Sequence, residues 1–124
     1  MAAVNPTFVD VSYKFWGNQA VVYTWTPLAN GDSGVQILGP GWADRSFQIE
    51  GTFGAAGTVL VEGSNDGVNW RTLDDPFGVP ISVTTPQIRE LTEITYYVRP
   101  RVSAGDGTTS ITVTAILVRH GGAP

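Results

Sequence analysis

Arg45-Ser46-Phe47-Gln48-Ile49-Glu50-Gly51-Thr52-Phe53 decides the fold class of this chain. Phe47, Ile49, Gly51 and Phe53 fall on one side of an extended backbone, and Ser46, Gln48, Glu50 and Thr52 on the other. A two-residue period with one apolar and one polar face marks a strand lying against a core. The next stretch, Thr58-Val59-Leu60-Val61-Glu62-Gly63, alternates again with Val59 and Val61 on its apolar side. Ala55-Ala56-Gly57 fits a three-residue hairpin loop with Gly57 left-handed. That register sets Phe53 opposite Val59 and Gly51 opposite Val61, and it brings Glu50 and Glu62 together on the outer face.

Outward from this hairpin the same period recurs. The pattern predicts about eight strands, at Phe8–Phe15, Val21–Thr26, Phe47–Phe53, Thr58–Gly63, Asn69–Leu73, Ile81–Thr84, Ile94–Val102 and Ser110–Val118. The 15 glycines and 8 prolines punctuate them, and no segment of ten residues carries a capped helical period. The expected fold is all-β, an antiparallel β-sandwich of jelly-roll or immunoglobulin-like type. Residues 1–124 form one domain, with 1–7 a candidate extended arm and 120–124 a flexible tail.

A second hairpin turns at Ser64-Asn65-Asp66-Gly67. A three-residue loop there leaves Trp70 outside, opposite Glu62, while one bulged residue sends it inward. Because a packed tryptophan buries about 200 Å², the core is the expected place. From Leu28 to Asp44 runs a glycine-rich loop bearing Trp42, in which Val35–Leu38 fits one short edge strand. Several strands are apolar on both sides. Val9, Val11, Tyr13 and Phe15 alternate with Phe8 and Trp16, and Ile116 and Val118 oppose Val113, Ala115 and Leu117. A long loop or a neighbouring subunit must cover the second face.

Composition narrows the function classes. There is no cysteine, so disulfide staples and thiolate metal sites are excluded. No apolar run approaches the ~20 residues that span a membrane, and the first residues do not read as a signal peptide. A net charge of −4 has the wrong sign for a nucleic-acid binder. Of seven cationic residues only Lys14 is not arginine, the cation favoured at protein interfaces.

The candidate chemistry is thin. Glu50 and Glu62 would be the carboxylate pair of a glycosidase, but with Cβ atoms ~5 Å apart on an open face they read better as a solvated or arginine-bridged pair. Arg99 and Arg101 stand on one strand face as partners within or between subunits. His120 sits in a His-Gly-Gly tail that does not hold a catalytic base. Asp66 and the pair Asp74-Asp75 could offer oxygens to calcium, without the ligand count of a loop site. The Gly31 to Gly41 run lacks the Lys-Ser/Thr of a phosphate cradle. Trp16, Trp42 and Trp70 could form a sugar platform, although core or interface packing accounts for them more simply. No catalytic residue, cofactor or metal is expected.

Val59-Leu60-Val61-Glu62-Gly63-Ser64-Asn65-Asp66-Gly67-Val68-Asn69-Trp70 is similar to the Ser-x-Asp-Gly-x-x-Trp hairpin of discoidin-type and galactose-binding sandwiches. A broader set, from Gly31-Asp32-Ser33-Gly34 through Ala43–Phe53, Asp75-Pro76 and Val98–Val102 to Thr112-Val113-Thr114, resembles small virion structural proteins of tailed bacteriophages. That resemblance implies a capsid decoration (cement) protein, a homotrimer that clamps the major capsid protein on the virion surface after assembly in the host cytoplasm. Nucleic acid and membrane are not implied as partners. The alternative is a carbohydrate-binding module or a head or tail fibre component. Phe8, Trp16, Trp42, Arg45, Arg99 and Arg101 are the candidate contact residues.

Overall fold

The computed structural model describes residues 2–12 and 19–119. Among them lie β1 (Ala3–Val4), β2 (Thr7–Asp10), β3 (Gln19–Leu28), β4 (Ser33–Gly34), β5 (Ile37–Leu38), β6 (Asp44–Thr52), β7 (Thr58–Ser64), β8 (Arg71–Thr72), β9 (Ser82–Val83), β10 (Gln87–Leu91), β11 (Tyr97–Ala104) and β12 (Ser110–Arg119). Two sheets face each other. Sheet A runs β1-β4-β11-β7-β8, with β5 also on β11 and β9 also on β7, and sheet B runs β10-β6-β12-β3-β2. The chain is an all-β sandwich.

The pairing is nested. β3 joins β12, β4 and β5 join β11, β6 joins β10, and β7 joins β8 and β9. A long hairpin wound over two sheets in this order is a jelly roll, which removes the immunoglobulin-like option.

The nested order overturns the first hairpin. β6 lies in sheet B and β7 in sheet A, so Phe53 does not pair with Val59, nor Gly51 with Val61. Instead Gly51 stands opposite Ile111 and Val61 opposite Pro100. The predicted faces hold all the same: Phe47, Ile49, Val59 and Val61 are all buried, meeting across the core from opposite sheets. Gly57 is not the left-handed residue; Ala56 takes that role at φ 58°. Gly57 serves a different need, since a Cβ there would run into the Phe53 carbonyl.

Trp25 forms the centre of the core. It is fully buried, stacks on Phe47 at 6.5 Å and on Tyr23 at 6.2 Å, and donates its indole N–H to the Val35 carbonyl at 3.0 Å. Around it pack Leu28, Ile111, Val113 and Leu117. The segment between Leu28 and Asp44 holds two short strands rather than one, β4 and β5. Asp32 takes N–H bonds from Ala2 (2.8 Å) and Ala29 (2.9 Å), which holds β1 on β4. Residues 2–10, where an arm was expected over 1–7, thus run along the edges of both sheets of their own chain.

The outer face of sheet B accounts for the strands that are apolar on both sides. Val9, Val22 and Ile116 stand in one cross-strand row, and Thr7, Thr24 and Thr114 in the next. Over β2, β3 and β12 these rows carry no charge, while the first runs on through Ser46 to Glu90, and Val9 is 55% exposed. Tyr13 to Asn18 and the tail from His120 lie outside the described residues.

Candidate functional site

The densest polar arrangement sits on the outer face of sheet A, and strand alternation builds it. In β11, Val98, Pro100 and Val102 point inward and are buried, which turns Arg99 and Arg101 outward. In β7, Val61 points inward and Glu62 outward, directly opposite Arg99. Arg99 Nε donates to Glu62 Oε1 at 3.2 Å, and Arg101 Nε donates to Oε2 at 3.0 Å. Glu62 is only 5% exposed although it stands on the outer face. Two guanidinium groups thus share the one carboxylate.

Trp70 completes the lid. Its indole lies under the Arg99 guanidinium, 4.0 Å from ring centroid to Cζ, a cation–π contact. Trp70 is half-buried on the outside, and the core placement expected for it is wrong. Gly63 stands opposite Arg71, and the six residues 65–70 between β7 and β8 carry the ring over the sheet. Arg71 joins the group from the rim, and together these side chains bound a depression of about 500 Å³.

The Asn-Asp-Gly loop is held from within. Asp66 accepts bonds from the N–H groups of Val68 and Asn69, the Asn69 amide and the Ser64 hydroxyl, each at 2.8 Å. The two backbone donors at Asn69 and Val68 do most to hold the Asp66 carboxyl well below the usual carboxylate range. Its oxygens are therefore occupied by the turn. Asp75 is likewise taken, by Phe77 and Val79 N–H groups and by Arg89 at 2.6 Å. Among the described residues no three acidic or histidine side chains gather to hold a metal.

Glu50 and Glu62, expected to be adjacent, stand on the outer faces of different sheets. Glu50 is opposite Thr112 and accepts a bond from Gln48. They form no catalytic pair.

The sandwich is one already seen in a phage protein. No family model and no curated protein matches the chain. Among solved structures, the SPBc2 prophage-derived protein YomS matches at a TM-score of 0.64 and 14% identity, over 80% of this chain and 94% of that one. A cobalt(II) HppE complex with Tris matches at a TM-score of 0.40 and 11% identity, over 90% of this chain and 52% of that one, too loosely to carry an argument.

The candidate contact residues scatter over the molecule. Arg99 and Arg101 meet at the depression. Phe8 is exposed on β2 at the edge of sheet B, 5.3 Å from the Tyr23 ring. Trp42 packs half-buried against the core, with the Arg119 guanidinium 4.5 Å from its ring. Trp16 lies outside the described residues. Arg45, expected at a contact surface, is 2% exposed and points into the fold beside Phe47. Its Nη2 donates to the Glu93 carbonyl at 2.7 Å, while Nε and Nη1 have no partner among the described residues. Sequence reasoning missed Arg71 and the exposed pair Phe77 and Ile88, which edge a second depression. Arg71 follows Trp70 directly, so its neighbourhood was visible once Trp70 was placed outside.

Proposed function

We propose that this chain is a virion structural protein of a tailed phage, which decorates and stabilises the capsid by binding the major capsid protein as a homotrimer. The observation that carries the reading is the shared sandwich: a prophage-derived protein has the same fold over nearly its whole length. The β-branched rows that β2, β3 and β12 present on sheet B's outer face support it, since weakly polar surfaces suit permanent contacts with other subunits. On this reading the protein acts by adding buried area between capsid subunits. Modest contacts then multiply through symmetric copies. It works as a binding protein and not as a catalyst, in keeping with two glutamates on separate faces and a Glu62 neutralised by arginine.

The sugar-platform alternative finds less support. A platform needs bare aromatic faces, and both Trp42 and Trp70 have a guanidinium over the ring.

The test uses expanded capsids assembled without this protein. Adding the purified chain should place density on the capsid lattice in cryo-electron microscopy and raise the capsid's disruption temperature. A monomer that leaves capsids bare sinks the reading.

A further inference from the structure

We infer that the depression on sheet A is a carboxylate-binding site that takes an acidic side chain from a protein partner. Three of the six arginines of a chain with net charge −4, Arg71, Arg99 and Arg101, converge on this one hollow. Glu62 is the only acidic residue among those lining it, so two positive charges remain uncompensated. Neutralising Glu62 needs one arginine, not three.

The hydrogen-bond geometry shows where the surplus is directed. Arg99 and Arg101 each hold Glu62 through Nε alone. Among the described residues the Nη groups of neither donate a hydrogen bond, and Arg71 spends only Nη1, on the Trp70 carbonyl at 3.0 Å. A guanidinium held at Nε still presents its Nη pair as a planar fork, the shape that takes a carboxylate through two parallel bonds. Glu62 fixes both side chains, so little ordering cost remains when a ligand arrives. Trp70, stacked on Arg99, supplies an apolar wall that strengthens the charge interaction by excluding water.

The same stacking favours an acidic side chain over an acidic sugar, because Arg99 occupies the ring face a sugar would need. That the acidic group belongs to a capsid subunit rests on the virion reading. The recognition of a carboxylate does not.

The probe is a blocked tetrapeptide, acetyl-Gly-Glu-Glu-Gly-amide, titrated into the purified chain while the Trp70 indole N–H is followed by NMR. Saturable shifts at Trp70 are expected, together with weakening as salt rises. Arg71→Gln and Arg101→Gln should each weaken binding about tenfold, the size of one half-exposed charged contact. Arg71 does not touch Glu62, so its variant keeps the fold even where Arg101→Gln perturbs it. Arg119→Gln, at Trp42, should bind as the parent does. No shift with the Glu peptide, equal shifts with the Gln-Gln counterpart, or preference for glucuronate over the peptide would each overturn the inference. Capsid binding that survives Arg71→Gln and Arg101→Gln, with no peptide response, removes this inference but leaves the virion reading. A peptide response from a chain that ignores capsids does the reverse.

Discussion

Gly34 shows how closely the core is fitted. A Cβ there would come within 2.6 Å of the Trp25 indole and 2.8 Å of the Pro100 ring. Gly34→Ala must therefore push the central ring off its bond to Val35, and overpacking of this kind costs about 1–3 kcal/mol. A lower denaturation midpoint by urea, with a weakened near-ultraviolet tryptophan signal, is expected. Arg45 poses the opposite case. A buried guanidinium with two unpartnered nitrogens carries a desolvation cost, and burial pulls its pKa below the usual arginine value. Arg45→Met keeps the volume and removes the charge, so it should be neutral or stabilise by about 1–2 kcal/mol, read from the same urea curves. A large loss of stability would show that the missing bonds are supplied after all. The burial of Arg45 was legible in principle: it shares parity with Phe47 and Ile49, so alternation points it inward. Weight given to arginine as an interface residue hid that signal.

At the scale of strands and turns, alternation fixed which face each residue shows but could not choose its neighbour. Phe47 and Val59 read identically whether β6 and β7 pair side by side or face each other across a core, because both arrangements need the same two-residue period. A short loop with glycines made the hairpin the economical choice, and the nested order won instead. β10 escaped notice for a related reason. In Gln87-Ile88-Arg89-Glu90-Leu91 the inward side carries Gln87 and Arg89, with Arg89 paired to Asp75, so the apolar signal is broken. The sheet-A site was half legible: Arg99 and Arg101 share a face by spacing, whereas Glu62 and Trp70 join them only through long-range register. The turns themselves titrate. The Thr108 hydroxyl first, then the Ala55 N–H, hold Asp106 down to about 2, from an ordinary 3.8. Asp66 is held lower still. A carboxylate with a depressed folded pKa contributes stability that is complete above the unfolded value and is lost as pH falls through the folded one. The melting temperature should thus be insensitive to these groups from pH 7 to about pH 5 and fall steadily from about pH 4 toward pH 2. Asp66→Asn and Asp106→Asn should lower it at neutral pH and flatten that acid limb. An acid limb unchanged in both variants would remove these turns as its source.

For the whole molecule, the two outer faces differ in chemistry: an arginine-lined hollow on sheet A, and on sheet B β-branched rows over β2, β3 and β12 bordered by Glu50 and Glu90. If sheet B seals against other subunits, Ile116→Lys should leave the protomer's circular dichroism and melting largely intact, since Ile116 is only half-buried. It should abolish oligomers in sedimentation analysis or capsid binding in pull-down. Unaltered assembly would move the contact elsewhere. The nested order also has a consequence for the way the protein is made. β12 lies between β3 and β6 and is the strand that joins them, yet it follows both in the chain. Until β12 has emerged from the ribosome, sheet B can form only as two separate pairs, β2–β3 and β6–β10, with nothing between them. β3 and β6 wait, with apolar surface exposed, for partners that follow far downstream, Ile111 for Leu28 and Ser110 for Thr52. Residues 110–119 are what join the two halves, and a polypeptide halted before them has sheet B only as two unconnected strand pairs.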